Sequence, residues 1–173
     1  GLTSQGFPKE LVAIVQGINP EITHWLAKAP EVTAIGFTGS GLVGKLLIKL
    51  SQERDVPIPV YAEMGSLNPV FFTPGALAEK ADELAKAAMD SALLGSGQFC
   101  TKPGIIVVPD DAAGDKFISQ IESYVAEQKV GPLLNKGIAS RFTDAISSLT
   151  KSKGLKVISG TNNPDGFGVT PTI

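Results

Sequence analysis

The sequence predicts an α/β fold in which a parallel sheet with helices is followed by a second α/β domain. Three observations support this prediction. Short apolar runs alternate with segments of helical period in the first third of the chain. The character of the sequence changes at Asn68, where a new strand and a long alanine-rich helix begin. The 173 residues are 43% apolar and 18% charged, which is typical of a globular protein with a buried core.

The first part of the chain predicts strands and helices in alternation. Apolar or β-branched runs at residues 11–15, 32–38 and 58–62 predict strands. Asn19, followed by a proline and a glutamate, offers an N-cap and a first turn to a helix that continues to residue 29. Leucines at helical spacing predict a second helix over residues 41–52. This order is typical of a parallel sheet with right-handed crossovers, half of a doubly wound domain.

The second part begins with a predicted strand at residues 69–72 and a helix over residues 76–94, started by Thr73 and Pro74. A glycine-rich loop, two strands, two helices and a final turn-rich loop are predicted after it. They span residues 95–104 (loop), 105–108 and 155–159 (strands), 112–127 and 139–149 (helices) and 160–168 (loop). We therefore expect two domains, residues 1–67 and 68–173. The absence of an initial methionine and the extended C-terminus predict truncation at both ends.

Composition argues against several classes of function. The net charge of −2 gives no basic surface for nucleic acid or an anionic membrane. We find no signal peptide and no apolar run long enough to span a membrane, so we expect a cytoplasmic protein. One cysteine and one histidine permit no internal disulfide and are too few for a structural zinc site, so no metal is expected.

A glycine pattern lies between the second predicted strand and the helix after it. Gly39, Gly41 and Gly44 match G-x-G-x-x-G, a motif whose glycines let a pyrophosphate approach the amides of a helix N-terminus. A tight strand-to-helix turn without a ligand explains the same residues. Glu63, about twenty residues on, fits a ribose ligand, a general base at a domain boundary, or an exposed glutamate at a strand end. The spacing alone leaves these alternatives open.

Cys100 lies in the predicted loop at residues 95–104. A lone cysteine is usually an inert core residue. Glycines on both sides and Lys102 nearby favour a partly exposed, reactive thiol instead. The residues around Cys100 do not decide between these two readings.

Three segments in order carry a family resemblance: Gly-Phe-Thr-Gly-Ser at residues 36–40, Ala-Glu-Met-Gly-Ser-Leu-Asn-Pro at 62–69, and Gly-Gln-Phe-Cys at 97–100. Together they resemble the aldehyde dehydrogenase superfamily. The middle segment departs from the commoner Glu-Leu-Gly-Gly-Lys-x-Pro, and its distance to the cysteine is slightly longer than usual. These departures resemble the branch of NADP-dependent fatty aldehyde and α-ketoglutaric semialdehyde (2,5-dioxopentanoate) dehydrogenases.

The resemblance implies a role for each motif residue. Cys100 would be the nucleophile and Glu63 the general base that activates water, which weakens the ribose assignment for Glu63. Cofactor contacts would come from the glycine-loop residues Gly39, Ser40 and Gly44, and from Met64. The implied cofactor is NADP or NAD, with NADP favoured, and the implied substrate is a small aldehyde. The resemblance also implies a homo-oligomeric parent protein, with residues 1–67 in an NAD(P)-binding, Rossmann-like domain and 68–173 in a catalytic domain.

The family also uses an asparagine and a lysine upstream, and a glutamate downstream, that fall outside these residues. We therefore expect the 173 residues alone to have little or no dehydrogenase activity. Two rival hypotheses remain at this stage. One is a different Rossmann-type oxidoreductase in which Cys100 is structural, and the other is a folded module without catalysis.

Overall fold

The computed structural model describes residues 1–160 and 166–173, and an α/β fold is observed. The chain divides into two compact units, Gly1–Gly65 and Ser66–Ile173. The first contains α1 (Glu21–Lys28), β1 (Ile35–Thr38), α2 (Gly41–Gln52) and β2 (Val60–Glu63). The second contains β3 (Pro69–Phe71), α3 (Pro74–Leu93), β4 (Ile105–Val107), α4 (Ala112–Glu127) and α5 (Lys136–Leu149). Single 3-10 turns lie at Leu2–Gln5, Lys9–Leu11 and Leu94–Gly97.

The first unit is a β-α-β element with one further helix. Strands β1 and β2 are parallel, with Ile35 opposite Val60 and Thr38 opposite Glu63. Because parallel strands need a crossover connection, α2 runs between them. Its leucine stripe supplies two of the three buried apolar residues in the core of this unit. These residues are Ala27, Leu47 and Leu50.

Arg54 ties the helix α1 to the connection before β2. One guanidinium nitrogen donates to the carbonyls of Ala27 and Ala29, each at 2.8 Å, and the other donates to the carbonyl of Val32 at 3.0 Å. The last carbonyls of a helix have no partner within the helix and carry partial negative charge. A planar cation with several donors therefore satisfies the end of α1.

The core of the second unit lies between α3 and α4. Helix α3 begins at Pro74, with the Thr73 side chain accepting a hydrogen bond from the Ala76 backbone. Residues four apart on α3 face residues four apart on α4, as expected when two amphipathic helices pack along one stripe each. The buried set is Leu77, Ala81, Ala85 and Met89 on α3 with Phe117, Ile121 and Val125 on α4. Phe72 and Ile106 lie against this core, and Ile106 belongs to β4, which pairs in parallel with β3.

Two predicted strands are wrong. Residues 11–15 form the end of a 3-10 turn and an irregular segment, in which Val12, Ile14 and Val15 are exposed. Among the described residues β1 pairs with β2, and no ladder reaches this segment. Residues 155–159 form an isolated antiparallel bridge between Ser159 and Thr172. An apolar run predicts a strand, but the run forms a strand only when a neighbouring strand offers free backbone groups for hydrogen bonding.

The remaining predicted elements are observed, α2 and α4 at the predicted residues and the others with shifted ends. Helix α5 begins three residues earlier than predicted because Asn135 caps it, accepting from the Ile138 backbone at 3.0 Å. The observed units divide after Gly65, and the predicted domains divide after residue 67. Part of the predicted loop at 160–168, residues 161–165, lies outside the described residues. No helix in the described ranges has the length and apolar character that crossing a membrane requires.

Candidate functional site

The predicted cofactor residues of the first unit lie where β1 meets α2. Ser40 caps α2, and its hydroxyl accepts from the Val43 backbone at 3.4 Å. The first turn of α2 contains no acidic side chain, and a Cβ added to Gly41 would meet no atom within 4 Å. The first amides of a helix lack partners within the helix and attract anions. This terminus therefore offers open backbone donors with no nearby carboxylate on the same turn.

The three glycines of the motif have different surroundings. Gly39 donates its backbone N–H to the carbonyl of Glu63 at 3.0 Å, which extends the β1–β2 pairing by one residue. Gly44 is buried, and a Cβ there would lie 2.6 Å from the Met64 sulfur. Gly44 and Met64 thus pack the helix against the end of β2. Only Gly41 has space around it for a close ligand, and the sequence-based hypothesis placed less weight on that glycine.

Glu63 ends β2 with its side chain exposed. Its carboxylate makes no hydrogen bond or ion pair with the described residues. A carboxylate without a protein partner is available to accept a proton from water, which is what a general base must do. Its backbone, in contrast, is fixed by the bond from Gly39.

Cys100 lies in the second unit, at the corner of a tight turn. The Lys102 N–H donates to the Phe99 carbonyl at 3.2 Å, which leaves Cys100 and Thr101 as the two central residues. Cys100 is exposed and its thiol is free. The Cys100 backbone N–H has no acceptor among the described residues. The turn therefore presents a nucleophilic atom and a free N–H donor from one residue.

The chain before Cys100 has an unusual backbone. Gly95, Ser96 and Gly97 all have positive φ, at 59°, 59° and 73°. Serine rarely adopts this conformation, so the flanking contacts must hold it. The Ser96 hydroxyl donates to the Gly131 carbonyl at 3.0 Å, and the Gln98 side chain accepts from the Leu134 backbone at 3.0 Å.

The sequence analysis missed two side chains that contact the Cys100 turn. The Ser66 hydroxyl donates to the Cys100 carbonyl, and the Asn68 side-chain nitrogen donates to the same carbonyl at 2.7 Å. Asn68 has a φ of 46° and directly precedes Pro69. An asparagine before a proline at a domain boundary is a signal of unusual backbone geometry. The sequence does not indicate which carbonyl its side chain reaches.

A cavity of about 530 Å³ lies in the second unit, beside the same loop. Apolar side chains such as Ile121, Leu133 and Phe142 line it, together with Gly97 and Gln98 of the loop. Cys100 is not among the lining residues that the structure describes. The cavity therefore does not contain the predicted nucleophile.

Known proteins resemble this chain in sequence. The model of the aldehyde dehydrogenase family matches residues 2–173. Alpha-ketoglutaric semialdehyde dehydrogenase 2 of Azospirillum brasilense is 37% identical over 153 residues, which cover 88% of this chain and 29% of that protein. Alpha-ketoglutaric semialdehyde dehydrogenase of Acinetobacter baylyi is 36% identical over 140 residues, covering 81% of this chain and 27% of that protein. The chain thus spans less than a third of the length of these relatives.

Solved structures resemble it in fold. A proline utilization A mutant from Bradyrhizobium japonicum superposes with a TM-score of 0.86 at 25% identity, covering 99% of this chain and 18% of that one. A betaine aldehyde dehydrogenase double mutant from Staphylococcus aureus, solved in complex with NAD+, superposes with a TM-score of 0.82 at 22% identity, covering 99% and 36%. The second similarity concerns the fold alone. The family match over nearly all residues and the two relatives above 30% identity confirm the resemblance, and the chain belongs to the aldehyde dehydrogenase family.

Proposed function

We propose that the complete polypeptide containing these residues oxidises an aldehyde to a carboxylic acid with NAD(P), through a thioester on Cys100. One observation carries the proposal. Cys100 stands exposed at the corner of a turn with its own N–H free, in a chain that belongs to the aldehyde dehydrogenase family. Exposure and a neighbouring unpaired amide are the setting in which a thiol acts as a nucleophile.

The reaction assigns one task to each of two residues. The Cys100 thiolate attacks the aldehyde carbon, forming a C–S bond and a thiohemiacetal whose oxyanion accepts a hydrogen bond from the Cys100 N–H. A bound nicotinamide would supply the hydride acceptor that converts this adduct to a thioester. Glu63 then removes a proton from water, which attacks the thioester carbon, and the C–S bond breaks to release the acid and the Cys100 thiolate.

The first turn of α2 fits the diphosphate of such a cofactor. Ser40 is exposed, the turn carries no acidic side chain, and the space at Gly41 is open. Gly39 would contribute by fixing the strand end. Gly44 and Met64 would contribute by packing α2 against β2, because Gly44 is buried. We propose NADP or NAD as the cofactor, and favour NADP from the branch resemblance.

The proposed substrate is α-ketoglutaric semialdehyde. The support is that two relatives at 37% and 36% identity bear that name. Membership of the aldehyde dehydrogenase family supports the proposals for the domains, the assembly and the compartment. Residues 1–67 would belong to the cofactor domain and 68–173 to the catalytic domain of a homo-oligomer, and a reducing cytoplasm would keep Cys100 as a free thiol. The 173 residues alone would turn over little or no aldehyde.

The test uses the complete polypeptide with α-ketoglutaric semialdehyde and either NADP or NAD. We expect reduced cofactor to accumulate steadily, Cys100→Ser to abolish it, and Glu63→Gln to give about one equivalent followed by a rate at least about 100-fold lower. A burst without turnover separates thioester formation from its hydrolysis. Steady turnover by Cys100→Ser, or by Glu63→Gln at the unaltered rate, would contradict the proposed chemistry. An unreactive thiol with unchanged cofactor binding would favour the rival oxidoreductase in which Cys100 is structural.

A further inference from the structure

Two side chains from the segment before β3 converge on the carbonyl of Cys100. The Ser66 hydroxyl donates to it, and the Asn68 side-chain nitrogen donates to it at 2.7 Å. The same Asn68 nitrogen lies 2.9 Å from the Lys102 carbonyl and 3.0 Å from the Ser66 hydroxyl oxygen. One amide group therefore bridges the carbonyls of Cys100 and Lys102, both within the turn that presents the cysteine. The mechanism proposed above uses neither residue.

The backbone of the same segment holds the far end of the turn. The Gly104 N–H donates to the Leu67 carbonyl at 2.7 Å. A Cβ added to Gly104 would lie 2.7 Å from that carbonyl oxygen, so the two backbones approach as closely as glycine permits. Residues 66–68 thus contact the chain at Cys100, Lys102 and Gly104.

Asn68 adopts a backbone conformation that needs a reason. Its φ is 46°, although a following proline pushes a residue toward extended conformations. Asparagine is among the few non-glycine residues that tolerate positive φ. The side chain is half-buried, with its amide against the two carbonyls. Such an outlier persists only where surrounding contacts fix it, and it often marks a functional site.

We propose that Ser66 and Asn68 are positioning residues for the nucleophile, a role that rests on the proposed function of Cys100. Two donors on one carbonyl fix the peptide plane that follows Cys100. With the Phe99–Lys102 hydrogen bond closing the turn, this restricts the backbone torsions that aim the thiol and the Cys100 N–H. Aiming both groups before the aldehyde arrives lowers the entropic cost of attack, and a displacement of about 1 Å can cost about 100-fold in rate.

Three single variants and the double variant that combines Asn68→Asp with Ser66→Ala test this role in the complete polypeptide. Asn68→Asp keeps the size and the tolerance of positive φ, but it replaces the donating nitrogen with an oxygen that repels both carbonyls. Ser66→Ala removes the second donor at an exposed position, and Ser66→Thr keeps the hydroxyl. Rapid-mixing measurement of the first equivalent of reduced cofactor gives the acylation rate. The aldehyde KM and the thermal midpoint of unfolding are measured beside it.

We expect acylation to slow about 10- to 100-fold in Asn68→Asp and about 3- to 10-fold in Ser66→Ala. The KM should stay within about twofold and Ser66→Thr should recover most of the rate, which mere stabilisation of the loop would not predict. Because both donors share one acceptor, the double variant should lose less than the product of the single losses. Acylation within about twofold of the unaltered rate in Asn68→Asp and Ser66→Ala, or equal losses in Ser66→Ala and Ser66→Thr, would overturn the positioning role.

Failure of the two proposals can be told apart. If the unaltered polypeptide oxidises no aldehyde with either cofactor, the proposed function fails. If it is active and Asn68→Asp acylates normally, only the positioning role fails. Amide hydrogen exchange adds a readout that needs no substrate. Exchange at the Lys102 and Gly104 amides should accelerate about tenfold in Asn68→Asp. Unchanged exchange at both amides would contradict the claim that the Asn68 side chain holds the Cys100 turn.

Discussion

Replacement of Phe117 by alanine should destabilise the second unit more than most single substitutions would. Phe117 is 1% exposed, and its ring lies 4.8 Å from that of Phe72 at an interplanar angle of 44°. Removing a buried phenylalanine costs about 3 to 5 kcal/mol, and this range includes a tilted aromatic contact worth about 0.5 to 1.5 kcal/mol. Met89 and Ile121 belong to the same buried cluster, and a packed cluster relaxes only in part around a deleted side chain. We expect a loss of about 4 kcal/mol.

Hydrogen exchange at the slowest amides of α3 and α4 measures this loss without assuming that the whole chain unfolds in one step. At about 1.4 kcal/mol per factor of ten, 4 kcal/mol corresponds to roughly thousandfold faster exchange. Phe117→Leu keeps most of the volume and should accelerate exchange by at most about tenfold. Ser119→Ala, an exposed change on the same helix, should stay within about threefold. Acceleration below about tenfold in Phe117→Ala, or equal to that in Ser119→Ala, would refute this account of the core.

Two further predictions concern the surface of each unit. Arg54→Ala should cost about 2 kcal/mol of local stability, seen as faster exchange in α1, and Arg54→Lys should recover only part because it lacks the planar fork. Equal exchange in all three proteins would contradict that role. In the second unit, hydrogen bonds from Lys86 and then from Tyr124 hold the pKa of Asp90 below its ordinary value of 3.8. A carboxyl group whose pKa is lowered in the folded state stabilises the fold at pH values above its ordinary pKa. This stabilisation is lost as the pH falls through the lowered pKa. The difference in thermal midpoint between Asp90→Asn and the unaltered protein should therefore be present at about pH 6 and shrink below about pH 4. A difference that does not change with pH would contradict it.

Helix ends were predicted correctly where an N-cap residue and the helical spacing of the apolar residues agree. Helix α2 was predicted at residues 41–52 and occupies Gly41–Gln52, because Ser40 caps it and its leucines repeat at the helical period. Helix α4 likewise occupies the predicted residues, with Asp111 accepting from the Ala113 and Gly114 backbones at 2.9 and 3.0 Å. Capping and periodicity both act within a few residues, so they can be recognised from the sequence alone.

Strands were predicted less well because pairing is not local. The runs at residues 11–15 and 155–159 have the apolar character of strands, yet the first is irregular and exposed, and the second forms one bridge to Thr172.

The surroundings of the glycine motif also depend on contacts that are not local in the sequence. Its three glycines look alike in sequence, but Gly44 is buried against Met64 while Gly41 is open. Packing from another strand decides which glycine can approach a ligand.

The sequence by itself determined the α/β class, the helices and the family, because periodicity, caps and three ordered motifs are properties of short segments. It also singled out Cys100 and Glu63 as the proposed nucleophile and base. Only the tertiary structure decided what surrounds the cysteine. The bonds from Ser66 and Asn68 to the Cys100 carbonyl join residues 34 and 32 positions apart. Such contacts depend on how β3 and the Cys100 loop come together in space, and no local pattern specifies them.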